Sequence, residues 1–447
     1  MSSIRDPRAA APAVALPLLH AADSDRVVLW RAHQPVRARQ FLAEVDAVAA
    51  RLPPRRQLLN LCEQRDRFLV AFCAGLQRGQ GNLLPPSRAP QVLAELAAAW
   101  PDHHACDDEF VAYASGHAGA GPESAPRVDG DHVAAIGFTS GSTGHPRQHR
   151  KTWASFAASS ARNAQAIVAA LGTEGLRGDP AIVATVPPQH MYGMELSVLL
   201  PLLANAAVHG GRPFFPDDVA RALREAQGPA LLVTTPVHLR ALVESGIDLP
   251  RPAGIVTATA PLPQALAAAA EQRFGCEVRE LFGSTETCVI ASRRTARDDL
   301  WQLLPDVRLQ PQPDGTQVQA PHLSAPVMLA DLVEMKPEGR FLLCGRQADL
   351  LEIAGKRASL GDLTRRLLAV PGVLDGVVLQ LDPCEITGVR RIAALAVAPG
   401  LDEAGILDAL RQSIDPLFLP RRLRVVDALP RNETGKLPRA ALLPLLR

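Results

Sequence analysis

Apolar positions along this chain follow two alternating patterns. Short apolar runs that stop at glycine or proline recur from Ala134 to Thr139, Pro180 to Val186, Leu231 to Thr235 and Gly254 to Thr257, and read as buried strands. Ala- and Leu-rich stretches such as Ala43 to Arg51 and Gln91 to Trp100 before them, and an alanine-rich stretch after Pro261, read as helices. Strands alternating with helices predict an α/β fold with parallel sheets, whose ligands bind beyond the carboxyl ends of the strands. From Trp301 to Arg340 the pattern changes to short, proline-punctuated strands, Val307 to Leu309 and Thr316 to Gln319 among them, which predicts a small β subdomain. Past Cys344-Gly345-Arg346, helices (Leu360 to Ala369, Leu401 to Ile414) interleave with strands (Gly376 to Leu381, Ile392 to Ala398). The expectation is a large N-terminal domain over residues 1–345 and a smaller mobile α+β domain over 346–447, with a hinge near Gly345 to Asp349.

Composition narrows the class. A chain of 447 residues is long enough for about three units of ~150 residues, and 47% apolar with 21% charged residues is globular rather than disordered or fibrous. The best candidate for a membrane span, Leu196 to Val208, is broken by Pro201 and Asn205 and falls short of the ~18 to 20 apolar residues needed. Arg5 and Arg8 followed by Ala9 to Leu19 loosely resemble a signal peptide, but Asp6, Pro12 and Pro17 speak against it, so a cytoplasmic protein is expected. Seven scattered cysteines without a Cys-x-x-Cys pair indicate neither a disulfide framework nor a structural zinc site. A net charge of +1 provides no polyelectrolyte surface for nucleic acid. Only four of the 47 basic residues are lysines, at Lys151, Lys336, Lys356 and Lys436, which makes each a question, because an ammonium and a guanidinium are not interchangeable.

Three clusters carry candidate chemistry. Thr139-Ser140-Gly141-Ser142-Thr143-Gly144-His145-Pro146-Arg147 follows a predicted strand; small residues admit an anion to the backbone, hydroxyls donate, and successive N–H groups form a nest. The same composition also suits a plain hydrophilic loop. It is neither a Walker loop nor a hydrolase nucleophile elbow. Leu281-Phe282-Gly283-Ser284-Thr285-Glu286-Thr287 places a carboxylate after a second Gly-Ser-Thr turn, where Mg2+ could be shared with substrate phosphates. Pro430 to Arg439, which contains Gly435-Lys436, reads by itself as a basic exposed loop.

Together and in this order, the clusters resemble the hallmark motifs of the adenylate-forming superfamily, which contains acyl- and aryl-CoA synthetases, peptide-synthetase adenylation domains and luciferase. Its phosphate loop, Tyr-Gly-Ser-Thr-Glu, Gly-Arg-x-x-Asp hinge and Pro-Arg-x-x-x-Gly-Lys motifs correspond to Thr139 to Arg147, Phe282 to Glu286, Gly345 to Asp349 and Pro430 to Lys436. Pro187 to Gly193 resembles the Pro-x-x-His-x-x-Gly segment, whose histidine, here His190, borders the acyl pocket. Thr257 to Leu262, with Ala258, Thr259 and Ala260, resembles the segment along adenine and substrate. The resemblance implies that ATP and Mg2+ are used, with Thr139, Ser140, Gly141, Ser142, Thr143, Gly144 and Arg147 around the β- and γ-phosphates. It likewise implies Thr285 at the α-phosphate, Glu286 on Mg2+, Phe282, Gly283 and Ser284 beside the nucleotide, and Asp331 and Arg346 at the ribose. Lys436 would bridge α-phosphate and substrate carboxylate as a catalytic residue, alongside Glu286, Thr285 and His190. Arg147 stands where the family usually has lysine, and Ala348 where it usually has Asp or Lys.

The short region before residue 130 makes the chain most similar to the compact aryl-acid AMP ligases of xanthomonadin and aryl polyene pathways. That implies a small carboxylic acid substrate such as 4-hydroxybenzoate, transferred to the phosphopantetheine thiol of an acyl carrier protein or of CoA. His190, Met191, Tyr192, Gly193, Met194, Thr259, Phe282 and Cys288 are placed by motif adjacency to line the aryl slot. A fatty- or short-chain acyl-CoA synthetase, or a non-enzymatic paralogue that binds AMP or an acyl-adenylate, are the alternatives.

Overall fold

The computed structural model describes residues 14–20, 25–139, 147–168, 180–346, 350–353, 356–381, 391–432 and 435–446. Two large sheets organise the residues up to 346. In the first, five strands run in the spatial order His103–Cys106, Gln57–Asn60, Gly81–Leu84, Val133–Thr139 and Arg147–Thr152; all neighbours are parallel except the last pair. The second sheet has eleven strands. Its parallel heart contains Ala207–His209, Ala181–Ala184, Ala230–Thr234, Gly254–Thr257 and Val278–Ser284, side by side in that order. Ala181–Ala184, Ala230–Thr234 and Gly254–Thr257 are buried throughout, as strands covered on both faces must be, which is why they read as unbroken apolar runs. Helices return between them, and the turns into several of these helices are capped by side chains: Thr235 Oγ1 accepts from His238 N and Thr152 Oγ1 from Ser155 N.

The expected α/β class holds, with one redistribution. The strands Trp301–Leu303, Asp331–Lys336 and Arg340–Arg346 continue the eleven-stranded sheet in antiparallel fashion and do not join a separate β subdomain. That subdomain is confined to Arg308–Gln312, Gly315–Gln319 and Val327–Leu329. The reason is aromatic burial: the rings of Trp301 and Phe341 stack 6.4 Å apart and both meet Phe282 of the sheet, an attraction the proline punctuation did not reveal. Leu196 to Val208, the longest apolar stretch, is core: the π-helix Glu195–Leu199, the helix Leu200–Leu203 and the strand Ala207–His209 are almost wholly enclosed. No helix among the described residues is long and apolar enough to cross a membrane.

After residue 350 the strands Asp375–Gln380, Ile392–Val397 and Arg422–Val425 form a three-stranded sheet. The helices Leu360–Leu368 and Glu403–Arg411 pack on it through Leu367, Ile406 and Leu410, in an apolar cluster that draws only on residues of this part of the chain.

Candidate active site

The loop Ser140, Gly141, Ser142, Thr143, Gly144, His145, Pro146 lies outside the described residues, but its two stems do not. Val133–Thr139 and Arg147–Thr152 are antiparallel neighbours with Thr139 opposite Arg147, so the two stems lie side by side at one edge of the five-stranded sheet. Arg147 is exposed there. Gly137, two residues before the loop, is where the Gly-Ser-Thr-Glu turn and the segment that holds His190 meet this strand. A Cβ at Gly137 would lie 3.1 Å from Thr285 Cγ2 and 3.7 Å from Met191 Cε, so its lack of a side chain admits both.

The Gly283 to Cys288 turn joins the antiparallel strands Val278–Ser284 and Cys288–Arg293. Ser284 N–H donates to Thr287 Oγ1 at 3.1 Å, and Thr287 N–H donates to Ser284 Oγ at 3.2 Å, a reciprocal clasp between two hydroxyl residues. Only glycine fits at 283, since a Cβ there would lie 2.1 Å from the Cys288 carbonyl oxygen. Cys288 itself takes φ +60°. The half-buried Glu286 carboxylate has His149 Nε2 3.4 Å from Oε1. Burial works to raise its pKa, but hydrogen bonds from Ser284 and its own backbone and the charges of His149 and Lys151 prevail, and hold it below the ordinary carboxylate value. Burial outweighs Glu286 at His149 and lowers that imidazole's pKa.

The described residues contain no group of three or more His, Cys, Asp or Glu able to cage a metal ion. One ionised, partly exposed carboxylate is nevertheless the donor set that suits Mg2+ brought in with nucleotide phosphates, because Mg2+ keeps waters and takes few protein ligands.

Beyond the strand Gly254–Thr257 the chain turns through Ala258, Thr259 and Ala260, with Thr259 at φ +81°. The buried hydroxyls of Thr257 and Thr259 and the Gln189 carbonyl oxygen have no hydrogen-bond partner among the described residues, as expected of groups that await a ligand. The C-terminal lysine loop comes to this spot: a Cβ at Gly435 would be 3.6 Å from Thr259 Oγ1 and 4.0 Å from Ala260 Cβ. The loop is braced from behind. Arg431 grips Asp375 with two bonds of 2.6 and 2.8 Å and donates to the Gly435 carbonyl at 2.6 Å, while Asn432 Oδ1 accepts from Lys436 N at 2.9 Å. Lys436 is left exposed. Arg346 Nε donates to Asp331 Oδ1 at 3.1 Å, across the first pair of the strands Asp331–Lys336 and Arg340–Arg346. Of the hinge motif, 347–349 lie outside the described residues.

The expected slot residues have unequal placements. His190 precedes the short helix Met191–Met194 and is half-buried; Gly193 is required, since a Cβ would lie 2.0 Å from the Pro187 carbonyl oxygen. Tyr192 OH donates to the carbonyls of Thr234 and Val256 at 3.2 and 3.0 Å and thereby ties two strand ends together. Met194 is fully enclosed in the core, and the Phe282 ring sits against Trp301 and Phe341. Ala258 is buried and Ala260 half-buried beside Thr259. Sequence reasoning missed the polar residues under this surface: Lys151, Glu195 and His322. The rarity of lysine was the one signal that marked any of them.

The AMP-binding enzyme family matches residues 82–318 of this chain. A 4-coumarate–CoA ligase of Rhodobacter capsulatus is 33% identical over 314 residues, which covers 68% of this chain and 74% of that protein. Among solved structures, o-succinylbenzoate CoA synthetase from Bacillus subtilis with its acyl-adenylate superposes with a TM-score of 0.79 over 96% of this chain and 98% of that one, at 19% identity. A benzoate CoA ligase from Burkholderia xenovorans gives 0.76 over 94% and 97%, at 17% identity. The chain therefore belongs to the AMP-binding enzyme family. Within it, the chain is an acid–thiol ligase of the acyl- or aryl-CoA ligase type.

Proposed function

We propose that this enzyme activates an aromatic carboxylic acid, of which 4-hydroxybenzoate is the first to test, as its adenylate, and passes the acyl group to a phosphopantetheine thiol of an acyl carrier protein or CoA. The observation that carries this is the seating of the Gly435-Lys436 loop on Thr259 and Ala260, beside unpartnered threonine hydroxyls. It brings a mobile point charge to the segment where substrate carboxylate and nucleotide would meet.

In the first step a carboxylate oxygen attacks the α-phosphorus of ATP, the bond to the bridging oxygen breaks, and pyrophosphate leaves with that electron pair. The 139–147 segment holds the outer phosphates, with Arg147 as its cation; Thr285 donates to the α-phosphate; Asp331 and Arg346 take the ribose. Mg2+ bound by Glu286 and the phosphates would supply charge neutralisation. Lys436 sits between carboxylate and α-phosphate and stabilises charge that builds in the transition state. In the second step the thiol attacks the acyl carbon and AMP leaves. That requires Lys436 to withdraw, by rotation of residues 346–447 against 1–345 about the segment after Arg346, a hinge transition. Gly345, at φ +104°, stands at its start.

An aryl acid is favoured by the 4-coumarate–CoA ligase relative. A carrier-protein acceptor, of the kind used in xanthomonadin-type pigment biosynthesis, belongs to the same reading. The test is pyrophosphate release with a panel of aryl and alkyl acids, followed by weighing the products formed with CoA or holo carrier protein in parallel. Release with alkyl acids alone overturns the aryl assignment and points to a fatty- or short-chain ligase.

A further inference from the structure

We infer that Lys151, His322 and Glu195 form a buried cradle under the Glu286 turn, and that Lys151 is a positioning residue that sets the Glu286 carboxylate for its metal. The inference rests on the adenylation reading in taking Glu286 as the Mg2+ ligand. Three neighbouring backbone groups of the turn are each held by a different distant element. Lys151, 5% exposed on the strand Arg147–Thr152, donates from Nζ to the Glu286 carbonyl at 2.5 Å. His322 Nε2, equally enclosed, donates to the Thr287 carbonyl at 2.7 Å. Glu195 receives the Val289 N–H on both oxygens at 3.2 and 3.0 Å, and also accepts from Ser159 Oγ at 2.7 Å and Asn163 Nδ2 at 3.0 Å.

Apolar side chains could fill this space without the cost of burying charge, so stability alone does not account for the arrangement. Its result is directional: each bond fixes one peptide plane on either side of Cys288, the residue at φ +60°. With the backbone of Glu286 fixed by Lys151, its partly exposed carboxylate meets His149 of the same strand, Nε2 lying 3.4 Å from Oε1. Lys151 also lies on the strand that begins at Arg147, so one element carries both the Arg147 stem and the donor that holds the carboxylate turn. Metal sites depend on such supporting bonds, whose removal typically costs about 10- to 100-fold in metal affinity. The choice of lysine in a chain so rich in arginine has a physical reason: a single buried carbonyl needs one slim donor, and a guanidinium would bring further N–H groups with nothing to meet.

The test compares wild type, Lys151→Met, Glu195→Gln and the double variant by two measurements: Mg2+ titration of acid-dependent ATP–pyrophosphate exchange, and the extra thermal stabilisation by ATP that Mg2+ confers over ATP in EDTA. For Lys151→Met the expected result is a Mg2+ half-saturation raised about 10-fold or more, a loss of the Mg2+-dependent part of the thermal shift, and an unchanged KM for the acid. The double variant, with both charges gone, should regain Tm without regaining Mg2+ affinity. Wild-type Mg2+ dependence in Lys151→Met, or recovery of Tm and Mg2+ affinity together in the double variant, would overturn the inference. If Lys151→Met does not fold, the double variant alone decides. A wild-type enzyme without exchange on any acid sinks the adenylation reading instead, and the Mg2+-dependent thermal shifts still judge the cradle.

Discussion

Two lysines serve one site from opposite environments. Lys436 is exposed, at the tip of a loop whose backbone is clamped by Arg431, Asp375 and Asn432, and its ammonium has no hydrogen-bond or ion-pair partner among the described residues. Lys151 is sealed in the interior with its ammonium bonded to a carbonyl. The first arrangement suits a charge that must arrive and depart; the second suits one that must never move. The contrast teaches that the same side chain is used here for chemistry where its support is rigid but its head is free, and for geometry where its head itself is fixed.

The largest expected effect separates the two. Lys436→Ala should lower adenylate formation by about 100-fold or more, the scale of losing one transition-state donor, with no change in Tm; an unchanged rate removes this lysine from the mechanism. Lys436→Arg should be nearly as harmful, whereas Arg147→Lys, which keeps a cation at an open phosphate loop, should be mild. Pyrophosphate-exchange rates for the two conservative variants decide this directly.

Next comes the loop's brace. Asp375→Ala releases Arg431 and so loosens the Lys436 loop, which should cost about 10- to 100-fold in kcat through lost orientation, with KM for ATP little altered. A rate equal to wild type would show that the loop is positioned without it.

Lys151→Met reverses the signature of Lys436→Ala: a modest rate loss but a fall in stability of about 1 to 3 kcal/mol, since it leaves the buried Glu286 carbonyl without its donor and removes a charge that favours ionised Glu195. Urea midpoints of both variants sharpen the comparison, and equal stabilities would break it.

The smallest effect serves as a reference far from either lysine. Burial acts to raise the pKa of Glu271, yet the Arg294 guanidinium, bonded to it at 2.9 and 2.8 Å, brings it below its ordinary value of 4.5. A depressed carboxylate stabilises the fold above its unfolded pKa and loses that contribution as pH falls through the folded one. Arg294→Met should therefore cost no more than about 1 kcal/mol at pH 7, and the Tm gap from wild type should close as pH falls from 6 to about 3.5.

Much of the site was legible because its chemistry is carried by local, ordered clusters. The strands that end in Thr139, Thr234 and Thr257 announced themselves as apolar runs, and the segments after Thr139 and Phe282 by glycine, serine and threonine. The strand Arg147–Thr152 did not: its Arg-Gln-His-Arg-Lys-Thr sequence has no apolar alternation, and only its pairing with Val133–Thr139 makes it a strand. For the same reason Lys151 gave no sign of facing inward. By sequence, Trp301–Leu303 reads as part of a separate subdomain because the aromatic cluster that ties Trp301 to Phe341 joins residues far apart in the chain.

What the sequence determined by itself is the set of groups that would touch nucleotide and acid, since close backbone approach and phosphate binding demand particular residues at fixed local spacing. What only the tertiary structure decided is how those groups are held: the seating of Gly435 on Thr259, the Arg431–Asp375 brace, and the union of Lys151, Glu195 and His322 beneath one turn. Such contacts join distant elements through burial and hydrogen-bond direction, and neither leaves a periodic trace along the chain.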